Sequence, residues 1–189
     1  ETAMARGELA AAFYFLAPGP KMIWQFGELG YEFPINYCPD GTVTPDCRTS
    51  RKPIPWHDTL DYFNVPARRK LYDTYAELIR LKKEHRVFRT GNIGYDLWGA
   101  HKRLFLTEEP DGSNMQVVVL GNFDVTPQNI NPSFPFTGTW YEHFSGTSLN
   151  VSNTEATLSM QPGEYRLYSS QPLYAHYYAK ASGDQGAVT

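Results

Sequence analysis

Gly19-Pro-Lys-Met-Ile-Trp-Gln-Phe-Gly-Glu-Leu-Gly-Tyr-Glu32 is the stretch whose reading sets the fold. Met22 to Phe26 is rich in apolar residues, follows the breaker Pro18-Gly19-Pro20 and runs straight into the turn Gly27-Glu-Leu-Gly30. A short apolar run bounded this way reads as a buried parallel strand whose C-terminal end opens onto a site. Just upstream, residues 2–16 read as a helix, with Met4, Leu9, Phe13 and Leu16 at three-to-five-residue steps in an Ala-rich background. A helix followed by a strand over Lys21–Phe26 is the unit of an α/β layer.

Downstream, Leu29 to Pro66 carries prolines at 34, 39, 45, 53, 55 and 66 and reads as one long loop. Connections of that length are uncommon in compact domains unless they are functional. A second helix is predicted over Ala67–His85. Leu71, Tyr75, Leu78 and Ile79 form its apolar stripe, and Arg68, Arg69, Lys70, Glu77, Lys82, Lys83 and Glu84 its wet side. Pro66 suits the first turn, the cations Lys82, Lys83, His85 and Arg86 suit the last, and Phe88 and Gly91 close the helix.

After Gly94 the period changes to two. Strands are expected over Leu97–Leu106, Met115–Phe123, Gly138–Phe144, Thr157–Met160 and Gly163–Ser169. Turn signals separate them at Pro110-Asp-Gly-Ser113, Thr126-Pro127, Asn131-Pro132, Ser145-Gly146 and Gln161-Pro-Gly163. Short strands at this spacing make an all-β antiparallel sandwich. The fold class is therefore α+β, divided as 1–91, 92–173 and a polar, aperiodic tail 174–189.

Composition narrows the function. Aromatics reach 15% of the chain, enough bulk for a core although the apolar fraction is only 41%. The net charge is −3 with both signs interspersed, so no basic field exists to track nucleic acid. No apolar run is long enough to span a bilayer. Glu1-Thr-Ala-Met-Ala-Arg6 has no signal-peptide pattern and opens inside a helix, so the chain reads as a fragment. Cys38 and Cys47 bracket a short loop with a turn at Asp40-Gly41. Either they pair as a disulfide, which favours a periplasmic or extracellular setting, or they are two free thiols in an exposed loop. Neither they nor His57, His85, His101, His143 and His176 show metal-ligand spacing, and no cofactor is implied.

Four pieces carry a resemblance. Trp24-Gln-Phe-Gly-Glu-Leu-Gly30 resembles the eighth-strand region of the α-amylase family (family 13) of glycoside hydrolases, in the variant seen in gut Bacteroidetes. Arg51-Lys-Pro-Ile-Pro-Trp56 resembles the segment those enzymes carry in the loop after that strand. Leu71 to His85, running on through Arg86-Val-Phe-Arg-Thr-Gly91, is similar to the family's last barrel helix and the turn into its β-domain. Gln116-Val-Val-Val-Leu-Gly-Asn-Phe123 is similar to a strand of that domain. The resemblance implies the C-terminal end of a (β/α)8 barrel followed by a β-sandwich domain. It also implies an enzyme that acts on α-glucans such as starch or maltooligosaccharides with retention, through carboxylates about 5 Å apart. Those carboxylates would lie upstream of Glu1, so no catalytic residue maps here and the chain alone is expected to be inactive. Calcium would belong to the full-length enzyme, with no site identifiable in this chain.

Expected partners are an α-glucan, the upstream barrel of the same protein and, through the uncovered barrel face, a second copy of the chain. Substrate-contact candidates are Glu28 just past the strand end, Tyr31, Arg51 and Trp56 in the long loop, and Trp98, Trp140 and Tyr141 in the β-domain. Glu28 and Glu32 are four residues apart, but Glu28 reads as a supporting residue. Arg51 and Trp56 either bind sugar or tie and underlie the loop. Two other readings remain open for the β-domain: a starch-binding module with Trp98, Trp140 and Tyr141 as a stacking platform, or a structural brace without ligand. Exposure of those aromatics favours the first, burial the second.

Overall fold

The computed structural model describes residues 1–56, 61–89, 92–108 and 114–173. His57, Gly91, the turn at 110–113 and the tail 174–189 with His176 lie outside them.

Two helices form as the periodicity predicts. Helix α1 spans Thr2–Leu16 and buries Leu9, Ala12, Phe15 and Leu16, a stripe at three- and four-residue steps. Helix α2 spans Pro66–Glu84, starts with its proline in the first turn, and buries Leu71, Thr74, Leu78 and Leu81. Eight strands follow: β1 (Ile93–Asp96), β2 (His101–Thr107), β3 (Gln116–Asn122), β4 (Gln128–Ile130), β5 (Gly138–Glu142), β6 (Ser148–Val151), β7 (Leu158–Met160) and β8 (Tyr165–Ser169). Six of them make one antiparallel sheet in the order β1-β2-β3-β8-β5-β6, while β4 and β7 make a second, two-stranded sheet. The fold is α+β with antiparallel sheets, and β1, β4 and β6, each of three or four residues, lie outside the strands expected from the sequence. The strand expected from Leu97 opens as a turn through Leu97–Ala100 and becomes β2, which pairs back on β1 as a hairpin.

Packing is in layers. On one face of the large sheet, Leu104, Leu106, Val117, Val119 and Leu167 meet Ala12, Phe15 and Leu16 of α1 and Leu78 and Leu81 of α2. On the other, Val118, Leu120 and Tyr168 meet Ile130, Met160 and Trp140. This explains the unbroken apolar run of β3, whose successive side chains enter opposite cores. Gly121 marks the crossing of α1 over β3, where an added Cβ would stand 2.5 Å from Leu9 and from Phe13. Helices and sheet thus share a core across residue 92.

Lys21–Phe26 is not a strand. The segment is irregular, passing into a turn at Gln25–Phe26, and pairs with no strand, while Met22 and Trp24 are 74% and 57% exposed. A parallel strand exists only beside a neighbour, and none of the described residues supplies one. What the expected strand does carry is its turn, which folds as a single 3-10 turn over Gly27–Leu29.

Candidate functional site

The long loop builds a line of aromatic rings. Trp56, Phe26, Tyr31, Phe33 and Tyr37 touch in succession, with centroids 5.2, 5.5, 5.3 and 4.7 Å apart, mostly edge to face. Phe26 holds a left-handed backbone (φ 58°), which costs a residue with a Cβ about 1–2 kcal/mol. Its carbonyl accepts from the Leu29 and Tyr31 amides at 2.9 and 3.3 Å, which fixes that geometry. The Tyr31 hydroxyl donates to the Pro53 carbonyl at 2.6 Å and joins the two ends of the loop. Burial, with Glu32 next to it, pushes the Tyr31 phenol up from its ordinary value.

Three devices hold this line in place. Arg68 of α2 donates to the Leu29 and Gly30 carbonyls at 2.8 and 2.5 Å, pairs with Glu32, and lies 3.7 Å over the Tyr62 ring. Burial and the Glu32 carboxylate push the Tyr62 phenol up to about 12. Lys52 donates to the Tyr37 and Cys47 carbonyls at 2.8 and 2.6 Å. Cys38 and Cys47 form a disulfide, with Cα atoms 5.2 Å apart, which decides between the two readings of those cysteines.

Against α1 and α2 this loop leaves a cleft of about 290 Å³, lined by Tyr14, Trp24, Tyr31, Phe33 and Tyr75 among others. Tyr14 closes one end, donating to the Met22 carbonyl at 2.9 Å and accepting from its amide at 2.8 Å. Burial, then the charge of Glu28 and Tyr14, push the Tyr75 phenol up from its ordinary value. The cleft can offer aromatic faces and phenolic hydroxyls to a ligand. It offers no carboxylate pair, because no Asp or Glu is among its described lining residues, and Glu32 is committed to Arg68. Among the described residues no three His, Cys, Asp or Glu side chains cluster to hold a metal.

The sequence candidates fall unevenly on this geometry. Tyr31 lines the cleft, Glu28 sits in the turn Gly27–Leu29 and is not among the lining residues, and Trp56 ends the aromatic line at 56% exposure, on the loop and not beneath it. Arg51 is exposed and makes no hydrogen bond to a described residue; the loop is tied by its neighbour Lys52 and by Arg68. Trp98, Trp140 and Tyr141 cannot form one platform. Trp140 is fully buried between Phe134 and Phe136 in the core under β5. Trp98 is 89% exposed on the β1–β2 turn, at least three strands away and so roughly 14 Å distant by ladder spacing. Tyr141, next to Trp140 on β5, is half-buried and by the pleat faces the opposite side of the sheet. Arg68, Lys52, Tyr14 and Tyr75 were missed as functional. Only the position of Arg68, three residues before Leu71 on the buried stripe, signalled its inward aim.

An antiparallel sandwich capped by two helices and an aromatic loop is the fold of the C-terminal part of α-amylase-type enzymes. AmyP, solved in complex with maltose, matches 88% of this chain with TM-score 0.67 and 16% identity. The α-amylase from Geobacillus thermoleovorans complexed with acarbose matches 88% with TM-score 0.60 and 16% identity. A trehalose-6-phosphate hydrolase from Bacillus licheniformis matches 87% with TM-score 0.63 and 13% identity. The chain spans 33–38% of the length of these three structures. No protein-family model matches the chain, and no curated protein matches it in sequence.

Proposed function

We propose that the chain is the C-terminal portion of an α-amylase-type glycoside hydrolase that acts on α-glucans with retention of configuration. The carrying observation is the match of 87–88% of the chain to several enzymes of this type, two of them solved with the saccharide ligands maltose and acarbose. The catalytic acid and nucleophile would lie in the part of the enzyme this chain does not contain, consistent with a cleft whose described lining holds no carboxylate. In this reading, residues 1–91 complete the catalytic unit and 92–173 form the β-domain that covers its helices. The aromatic line from Trp56 to Tyr37 forms one wall of the glucan path. The disulfide supports a periplasmic or extracellular setting.

The test is calorimetric titration of the chain with maltoheptaose beside a hydrolysis assay on soluble starch. Saturable binding without hydrolysis is expected. Hydrolysis by clean protein would place the catalytic carboxylates within this chain and overturn the assignment. Absence of binding would remove the aromatic wall and leave the brace reading, which the buried Trp140 favours for the β-domain.

A further inference from the structure

The six-stranded sheet ends in two edges, β1 and β6, and they are built differently. β6 turns Ser148 and Asn150 to water. β1 carries no proline, lysine or bulge and keeps an unbroken register with β2, from Ile93 opposite Leu106 to Asp96 opposite Arg103. Such devices guard natural sheet edges, because outward N–H and C=O groups are a template for another strand. The ladder shows which groups those are. The Thr107 amide donates to the Asn92 carbonyl at 3.1 Å, so the hydrogen-bonded pairs are Asn92–Thr107, Gly94–Phe105 and Asp96–Arg103. The amides and carbonyls of Ile93 and Tyr95 therefore point away from β2, and no described residue bonds them.

The same edge carries apolar surface. Tyr95 is 67% exposed, and the turn beyond it sets out Leu97 at 46% and Trp98 at 89%. The Phe123 amide donates to the Ala100 carbonyl at 2.7 Å, which brings the turn after β3 alongside, with Val125 74% exposed. These four side chains present roughly 500 Å² of apolar surface, as much as the largest patch on an ordinary monomer. Covered on two copies at once, it amounts to about 1,000 Å², the lower bound for a specific interface. Asp96 is the one charged residue from Ile93 to Ala100, and it is paired with Arg103. Lys102 is spent on the Leu97 and Gly99 carbonyls at 2.6 and 3.0 Å, which fixes the turn. The edge therefore holds no unpaired charge to repel a like surface or to select a charged one. An antiparallel strand meeting its own copy about a twofold axis is self-complementary, each outward amide finding an outward carbonyl. With Gly94 on that axis, each Ile93 stands opposite the other copy's Tyr95. The closest approach, about 4.5 Å between Cα atoms, then falls on a residue without a Cβ. The two Asp96 carboxylates stay roughly 13 Å apart along the strands.

We propose that β1 is an interface between two copies of this chain, which join edge to edge into one continuous antiparallel sheet sealed by Tyr95, Leu97 and Trp98. Sedimentation equilibrium of the whole chain from about 5 to about 500 µM should show its mass rising from monomer toward dimer. An interface of this size corresponds to a Kd on the order of 10–100 µM. Trp98→Lys should weaken association about tenfold or more. Tyr95→Pro should abolish it, since it removes an outward amide and no bond to β2. Both variants must melt as the parent chain does at low concentration, and Tyr95→Lys replaces the proline variant if that one melts lower. At high concentration the Ile93 and Tyr95 amides should exchange more slowly than in dilute chain, while Ser148 and Asn150 on β6 keep their rates. The proposal is overturned if the mass stays that of a monomer throughout, or if the dimer is unchanged in Trp98→Lys and in the Tyr95 variant. A dimer that dissolves only in Trp24→Lys would sit on the loop cleft and overturn it equally.

Discussion

Glu77 shows how much one residue can hide from a sequence. Its side chain is 1% exposed and bonds His143 Nε2 at 2.6 Å, from the end of β5, and Arg80 Nε and Nη2 at 2.8 and 2.5 Å. Burial alone would raise its pKa, but the hydrogen bonds from Arg80 and His143 and their charge overcome this and bring it down to about 2. A carboxylate depressed in the folded state contributes stability that is full above its unfolded value near 4.5 and is lost as pH falls toward 2. The parent chain should therefore lose on the order of 2–3 kcal/mol across that window, read by urea unfolding at stepped pH. Glu77→Gln should destabilise at neutral pH by about 3–5 kcal/mol, since it takes the buried anion away from His143 and leaves Arg80 its pair with Glu84. It should also flatten that acid dependence; an unchanged acid profile would show that Glu77 does not carry it. By position Glu77 lies among Thr74, Leu78 and Leu81 on the buried face. Its charge led to the wet side because the partner, His143, is 66 residues away and invisible to local periodicity.

At the scale of elements, the two helices and the strands with clean alternation were legible, because each declares itself through its own period. The segment at 21–26 was not, since an apolar run of that length becomes a strand only beside a partner. The long loop was legible as a loop but not as a built structure. Its order comes from Arg68, Lys52 and the disulfide, ties that span 39, 15 and 9 positions. Arg68→Ala should raise amide exchange across Leu29–Glu32 while leaving the middle of α2 protected; exchange unchanged at Leu29–Glu32 would mean the ring contacts suffice. Replacing Cys38 and Cys47 together by Ser should cost about 2–3 kcal/mol by loop-closure entropy for a separation of 9 residues, checked by chemical denaturation. A cost near zero would mean Lys52 already closes the loop in the unlinked chain.

For the whole molecule, the two faces of β3 join the helical core to the sandwich core. Trp140 belongs to the second of these, so Trp140→Ala should cost about 3–5 kcal/mol and lower the melting temperature, while Trp98→Ala should leave it unchanged. Equal effects would contradict the placement of the two rings. Sequence composition gives the aromatic weight of the chain but not which rings face water. That is set by the register of β5 against β6 and β8, in which Trp140 turns inward.

The wall of rings and the glucan meet in one measurement: hydrogen exchange of the intact chain with and without saturating maltoheptaose, followed by peptide. The proposed function predicts slowed exchange over Met22–Tyr37 and Arg51–Trp56, with the interior of the large sheet unchanged. Exchange in those two segments identical with and without the sugar would contradict it.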